Sequence, residues 1–135
     1  MNPRYASVAW RAGHRCEYCH APEVVFNFPF EVEHIVPAGL GGADQESNRA
    51  LSCRACNLYK SNHLQAVDPQ TQMPVPLFNP REHRWNEHFT ADETTGAMLG
   101  LTTTGRATVD CLKMNRYAQL TARRLWMRLG LFPDR

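Results

Sequence analysis

Apolar positions fall in short runs whose period changes along the chain, and each change predicts a new element. Ala6, Val8, Ala9, Trp10 and Ala12 predict a partly helical start within residues 1–15 that stops at Gly13. Between residues 28 and 37 the period becomes two. Phe30, Val32 and His34 point one way and Glu31, Glu33 and Ile35 the other, which predicts a strand ending at Pro37. The glycines of Gly39-Leu40-Gly41-Gly42-Ala43-Asp44 permit positive φ and predict an irregular loop. A short helix is expected from about Arg54 to Ser61. Asp68-Pro69-Gln70-Thr71 carries turn chemistry. Pro74, Pro76 and Pro80 exclude a continuous helix between residues 66 and 81, leaving a connector that wraps over the core. Gly96 and Gly100 set off a hairpin over about 87–101 from a helix capped by Thr103 or Thr104. A last helix is expected over about 116–129. It places Ala118, Ala122, Leu125, Trp126 and Leu129 on one side, and Arg116, Arg123, Arg124 and Arg128 on the other.

This pattern describes an α+β chain, and 135 residues support one unit rather than two full cores. The expected division is a metal-held part over residues 1–65 with a connector, hairpin and helices over 66–135 packed on it. No run approaches the roughly 18 apolar residues that span a bilayer, so no membrane span is expected. Trp10 leads straight into Arg11, Gly13, His14 and Arg15, which is not the apolar stretch of a secretory signal, and a cytoplasmic location is expected. The net charge of +2 is unevenly spread: from Arg106 to Arg135 there are seven basic residues against two acidic ones. Such a tail either sits against phosphates or forms a solvated helix face.

Cysteine spacing adds chemistry. Cys16/Cys19 and Cys53/Cys56 are two C-x-x-C pairs, and in a reducing compartment such pairs bind metal more often than they form disulfides. Four thiolates complete a tetrahedral zinc site with no position left for substrate, so the site is expected to be structural. The 33 residues between Cys19 and Cys53 exceed the roughly 15 to 20 of the commonest four-cysteine pattern, so a substantial insert lies between the knuckles. Cys111 stands apart and reads as a small buried hydrophobe.

The insert and the second knuckle contain a different set of groups. Glu33 and Asn57 offer hard oxygen atoms of the type that hold Mg²⁺. His34, with an ordinary imidazole, is suited to take a proton from an attacking water near neutral pH. Metal-assisted hydrolysis of a phosphodiester needs both parts. The Arg81, His83, Arg84, Trp85, Glu87, His88 cluster lacks the H-E-x-x-H spacing of a metalloprotease. It reads as packing, with Trp85 and Phe89 on the core.

Taken in order, Cys16-Glu17-Tyr18-Cys19, Val32-Glu33-His34-Ile35-Val36-Pro37, Gly41-Gly42, Asn48 and Cys53-Arg54-Ala55-Cys56-Asn57-Leu58-Tyr59-Lys60 resemble the zinc-stabilised HNH endonucleases. The resemblance spans about residues 11–64. It implies a treble-clef-like ββα-metal core and a metal-dependent cleavage of DNA, which it favours over RNA. It further implies His34 as general base, Asn48 as the residue that pins the loop and orients the base, and Glu33 and Asn57 as ligands of a catalytic Mg²⁺ or Mn²⁺. Glu33 stands where many members have Asp. His63 is a further candidate ligand, and Lys60 a candidate contact to substrate phosphate, with Arg49 and Arg54 beside it. A monomer or a homodimer would suit such a nuclease. The rival reading is a non-catalytic zinc-knuckle module that binds nucleic acid through Arg49, Arg54, Lys60 and the last helix, for which Glu33, His34 and Asn57 would not be required. A second rival is a zinc-held scaffold whose C-terminal arginines meet an acidic protein partner.

Overall fold

The computed structural model describes residues 2–133. Met1 and the Asp134-Arg135 end of the basic tail lie outside the described residues. Helix α1 (Tyr5–Arg11) comes first, followed by strand β1 (Glu31–His34), strand β2 (Arg49–Ser52) and helix α2 (Arg54–Lys60). β1 and β2 pair antiparallel, with Glu31 opposite Ser52 and His34 opposite Arg49. A mixed α/β chain results, in which α2 leaves the hairpin through the second cysteine pair.

Two further hairpins follow. β3 (Gln65–Val67) pairs with β4 (Pro74–Pro76), a pairing hidden by the prolines. They are tolerated because a two-stranded ribbon has only edges, where a missing N–H can face away from the partner. The expected turn at Asp68 joins the two strands. Asp68 is fully buried there and accepts both Arg106 Nε and a second guanidinium nitrogen at 2.9 Å. The Arg106 guanidinium beside it holds its carboxyl far below the usual carboxylate range. After the single-turn helix α3 (Trp85–His88), β5 (Phe89–Ala91) pairs with β6 (Met98–Gly100) inside the expected hairpin. Helix α4 (Thr103–Cys111) follows, and its cap is Thr102, one residue before the expected pair. The Thr102 hydroxyl accepts from the Gly105 N–H at 2.9 Å, an arrangement worth about 1 kcal/mol. Gly105 is required there, since a Cβ would stand 2.1 Å from the His88 carbonyl oxygen.

Helix α5 (Tyr117–Arg128) forms where periodicity places it, but its buried face is not the one the pattern predicts. Arg123 is 1% exposed, while Leu125 and Leu129 face solvent. Its guanidinium donates to the carbonyls of Gly96, at 2.7 Å, and Met114, at 3.0 Å, tying the β5–β6 turn and the segment before α5 to the helix. Pairing these two buried carbonyls offsets part of the cost of burying the guanidinium, whose Nε has no hydrogen-bond partner among the described residues.

A continuous buried cluster joins Val8, Tyr18, Phe30 and Leu51 to Phe78, Phe89, Met98, Leu112, Met114 and Phe132. The two halves of the sequence therefore share apolar surface. The expected role of Trp85 is seen in detail: its indole N–H donates to the Tyr18 carbonyl at 2.8 Å and its ring stacks on His20 at 3.8 Å. Glu17 ties the first knuckle to both sides, accepting from the Leu51 N–H and from Arg81. No helix among the described residues is long and apolar enough to cross a membrane.

Candidate active site

Cys16, Cys19, Cys53 and Cys56 are all buried, and their sulfurs lie within 4.8 Å of one another. The Cys19 and Cys53 sulfurs are 3.8 Å apart. A tetrahedron with Zn–S bonds of about 2.3 Å has edges of about 3.8 Å, so the donor set fits a structural zinc ion in both chemistry and spacing. The second knuckle forms because Cys53 acts as the cap of α2, its sulfur accepting from the Cys56 N–H at 3.4 Å. Hydrogen bonding to Cys16, Cys53 and Cys56 holds the Cys19 thiol well below its ordinary value, while hydrogen bonding to Cys16 and Cys19 pushes Cys53 and Cys56 well above theirs. Trp126 and Ala122 of α5 line the apolar groove beside these sulfurs, a contribution from the C-terminus that no spacing rule announces.

The loop between β1 and β2 is closed by Asn48. Its side-chain oxygen accepts from the Val36 N–H at 2.8 Å, and its amide nitrogen donates to the carbonyls of Val36, at 2.9 Å, and Ala43, at 2.8 Å. Gly42 permits this closure, because a Cβ there would lie 1.7 Å from the Val36 oxygen. Asn48 thus bonds the backbone of the loop and not the imidazole of His34.

The partner of His34 is Asp44, whose Oδ1 lies 3.2 Å from the imidazole Nε2. Arg49 donates to the same carboxylate oxygen at 3.0 Å and to the Asp44 carbonyl. Hydrogen bonding from Arg49, with His34 second, holds the Asp44 carboxyl below its ordinary value, so it is an anion at neutral pH. An anionic acceptor at Nε2 selects the tautomer with the proton on that nitrogen and leaves Nδ1 as the open acceptor. Asp44 was not singled out in the sequence, where it reads as one more residue of a glycine-rich loop. A short acid a turn beyond the histidine strand is the only local signal.

Helix α2 lies along β1, and three contacts record the alignment. Arg54 reaches Glu31 at 3.5 Å, the Asn57 amide donates to Glu31, and the Lys60 ammonium donates to the Ile35 carbonyl at 2.8 Å. Asn57 therefore meets Glu31 and not the expected Glu33. Glu33 is buried, accepts from the Tyr18 hydroxyl and lies 3.6 Å from Lys60. Burial raises its carboxyl above the ordinary value against the pull of Lys60. The Tyr18 hydroxyl is likewise pushed well up, first by burial and then by Glu33.

Two of the residues expected to meet phosphate are buried. Lys60 is 2% exposed and Arg49 4%; Lys60 faces the buried Glu33 and the Ile35 carbonyl, and Arg49 the exposed Asp44. They are braces of the hairpin, and only Arg54 of that trio is exposed. His63 is exposed beyond the end of α2, and its backbone N–H bonds the Lys60 carbonyl. Glu31 and Asn57 open into a cleft of about 510 Å³. Among the described residues no hydrogen bond joins the His34–Asp44–Arg49 group to the Glu31–Asn57–Arg54 group.

Residues 16–63 match the family model described as HNH endonuclease. That segment contains both cysteine pairs, His34, Asn48 and Asn57. It is the family that the motifs resemble, and it points to a nuclease or nucleic-acid-binding role, with a cysteine cluster suited to zinc. Neither the curated proteins nor the solved structures gave a match.

Proposed function

We propose that this protein is a metal-dependent endonuclease that hydrolyses phosphodiester bonds in DNA. On this reading β1, β2 and α2 form a treble-clef ββα-metal core around zinc, and residues 66–135 act with it as one unit. The observation that carries the reading is the pairing of Asn57 with a β1 carboxylate beside an open cleft, within the segment that matches the HNH model. Asn57 Oδ1 and the carboxylates of Glu31 and Glu33, which share one face of β1, are the oxygens that would hold Mg²⁺ or Mn²⁺. Bound there, such an ion neutralises charge on the phosphate and on the departing oxygen. His34 Nδ1 takes the proton of the attacking water. The oxygen of that water forms the new bond to phosphorus as the bond to the departing sugar oxygen breaks. Asp44 is a positioning residue that holds the imidazole by Nε2 and compensates the imidazolium charge.

The test is conversion of supercoiled plasmid by zinc-loaded protein with Mg²⁺, with Mn²⁺ or with no added ion. Cleavage is expected only with added ion, and E31Q should raise the Mg²⁺ concentration needed for half-maximal rate by tenfold or more. E33Q separates the two carboxylates. A Mg²⁺ requirement moved by E33Q and untouched by E31Q would take Glu31 out of the ligand set and leave Glu33 in it, and cleavage without any added ion would sink the reading.

The exposed cations that meet phosphate on this reading are Arg54, Lys113 and Arg116. The last two flank the Tyr59 ring on α2, with Lys113 Nζ 5.2 Å and Arg116 Cζ 5.6 Å from its centre. Joint replacement of Lys113 and Arg116 by Ala is expected to weaken DNA binding and to reduce the slope of log affinity against log salt by about 2. An unchanged slope would remove this ridge from the DNA path. The binding-only module predicts the same slope but no ion-dependent cleavage, so the two experiments together separate it from the nuclease.

A further inference from the structure

The cleft that Glu31 and Asn57 open into is not shaped for a phosphate alone. Its other walls are Tyr5, Phe28, Phe30 and Val32, so a polar pair sits at one side of a largely apolar recess. A volume of about 510 Å³ is far more than a metal ion and a phosphate need, and lies in the range of small-molecule sites. Phe28 is 79% exposed and follows Phe26, Val24 and Val25, which are exposed as well. Exposed aromatic surface is ordinarily minimised, and a ring held at the mouth of a cleft is suited to stack on a flat partner. Phe30 at the back of the recess is fixed, since it is buried and its N–H donates to the buried Glu23 carboxylate at 2.7 Å. Asn2 also lines the recess. Its carboxamide oxygen accepts from the Arg4 N–H at 2.7 Å, and the residue is exposed.

We infer that this recess is a nucleobase subsite, in which Phe28 stacks on a base unpaired from its complement, next to the ion site proposed at Glu31 and Asn57. A base inside an intact duplex enters a recess of this kind only by breaking its stacking and pairing, at a cost that an unpaired base does not incur. The preferred substrate is therefore DNA with an unpaired nucleotide, in a single strand, a loop or a mismatch. Stacking is tolerant of base identity, since every base has a π face, so Phe28 would select for unpaired structure rather than for sequence. The inference rests on the nuclease reading for the position of the ion, but the recess itself can be tested without cleavage.

The probe is an oligonucleotide carrying 2-aminopurine, whose emission falls when it stacks on an aromatic ring. It is titrated with the zinc-loaded 135-residue chain without added Mg²⁺ or Mn²⁺, once with the probe base in an unpaired loop and once in the fully paired duplex. The unpaired form is expected to bind at least tenfold more tightly and to lose emission. F28A should weaken that binding about tenfold and leave duplex binding within twofold, while F28W should retain both affinity and quenching. Equal binding of paired and unpaired DNA, or F28A within twofold of wild type on the unpaired form, would overturn the subsite. The two readings fail separately. Ion-dependent plasmid cleavage with an inert F28A removes the subsite and keeps the nuclease, whereas Phe28-dependent quenching without cleavage under any ion keeps the subsite and removes the nuclease.

Discussion

Cys53→Ser is expected to abolish the cooperative fold, and withdrawal of zinc by a strong chelator should do the same to the wild-type chain. Cys53 has two duties: its sulfur belongs to the four-cysteine cluster and also caps α2 through the Cys56 N–H. The cluster is buried beside Tyr18 and Leu51 and lies under Trp126 and Ala122 of α5. Losing it would expose sulfur-lined surface at the junction of the two halves of the sequence. Apparent zinc-binding energies of about 10–16 kcal/mol in four-ligand sites are as large as the whole stability of a typical domain, about 5–15 kcal/mol. Such a site is therefore a condition of folding rather than an ornament on it. Zinc content by elemental analysis and thermal unfolding by circular dichroism check the expectation. A Cys53→Ser chain with a native spectrum and an unchanged midpoint would remove zinc from the folding account.

His34→Ala should lower plasmid cleavage by roughly 10² to 10⁴, the usual worth of a positioned general base, while zinc content and the unfolding midpoint stay near wild type. The structural part follows from its surroundings: the imidazole is exposed, and it bonds the still more exposed Asp44. Little packing is lost with it. Asp44→Asn should slow cleavage less than His34→Ala does, because it removes the partner that holds Nε2 and leaves the base in place. Full activity of His34→Ala would sink the base assignment. Full activity of Asp44→Asn would reduce the Asp44 contact to a surface pair of the kind worth little.

The comparison of His34 with Lys60 shows why some of the site was readable and some was not. Both stand in the motif that residues 16–63 share with the HNH model. His34 is exposed where its place in the alternating strand allows it to be. Lys60 occupies a position at which a basic residue suggests a phosphate contact, and its ammonium is instead spent on Glu33 and the Ile35 carbonyl. Glu31 passed unnoticed for the same reason. It lies on the same strand face as Glu33, and only the placement of α2 decides which of the two meets Asn57.

Sequence by itself determined the elements whose causes are local. Cysteine spacing set the two knuckles, alternation set β1, glycine and a cap residue set the loop and α4, and periodicity set the length of α5. The tertiary structure alone decided where charge goes. Arg123 turned inward to the Gly96 and Met114 carbonyls, Arg49 to Asp44, and Lys60 to Glu33, while Lys113 and Arg116 remained outside against Tyr59. The physical reason is range. A turn, a cap or a strand face is fixed by neighbours within a few residues, whereas a cation goes to whichever unpaired oxygen packing brings close, and those oxygens come from distant parts of the chain.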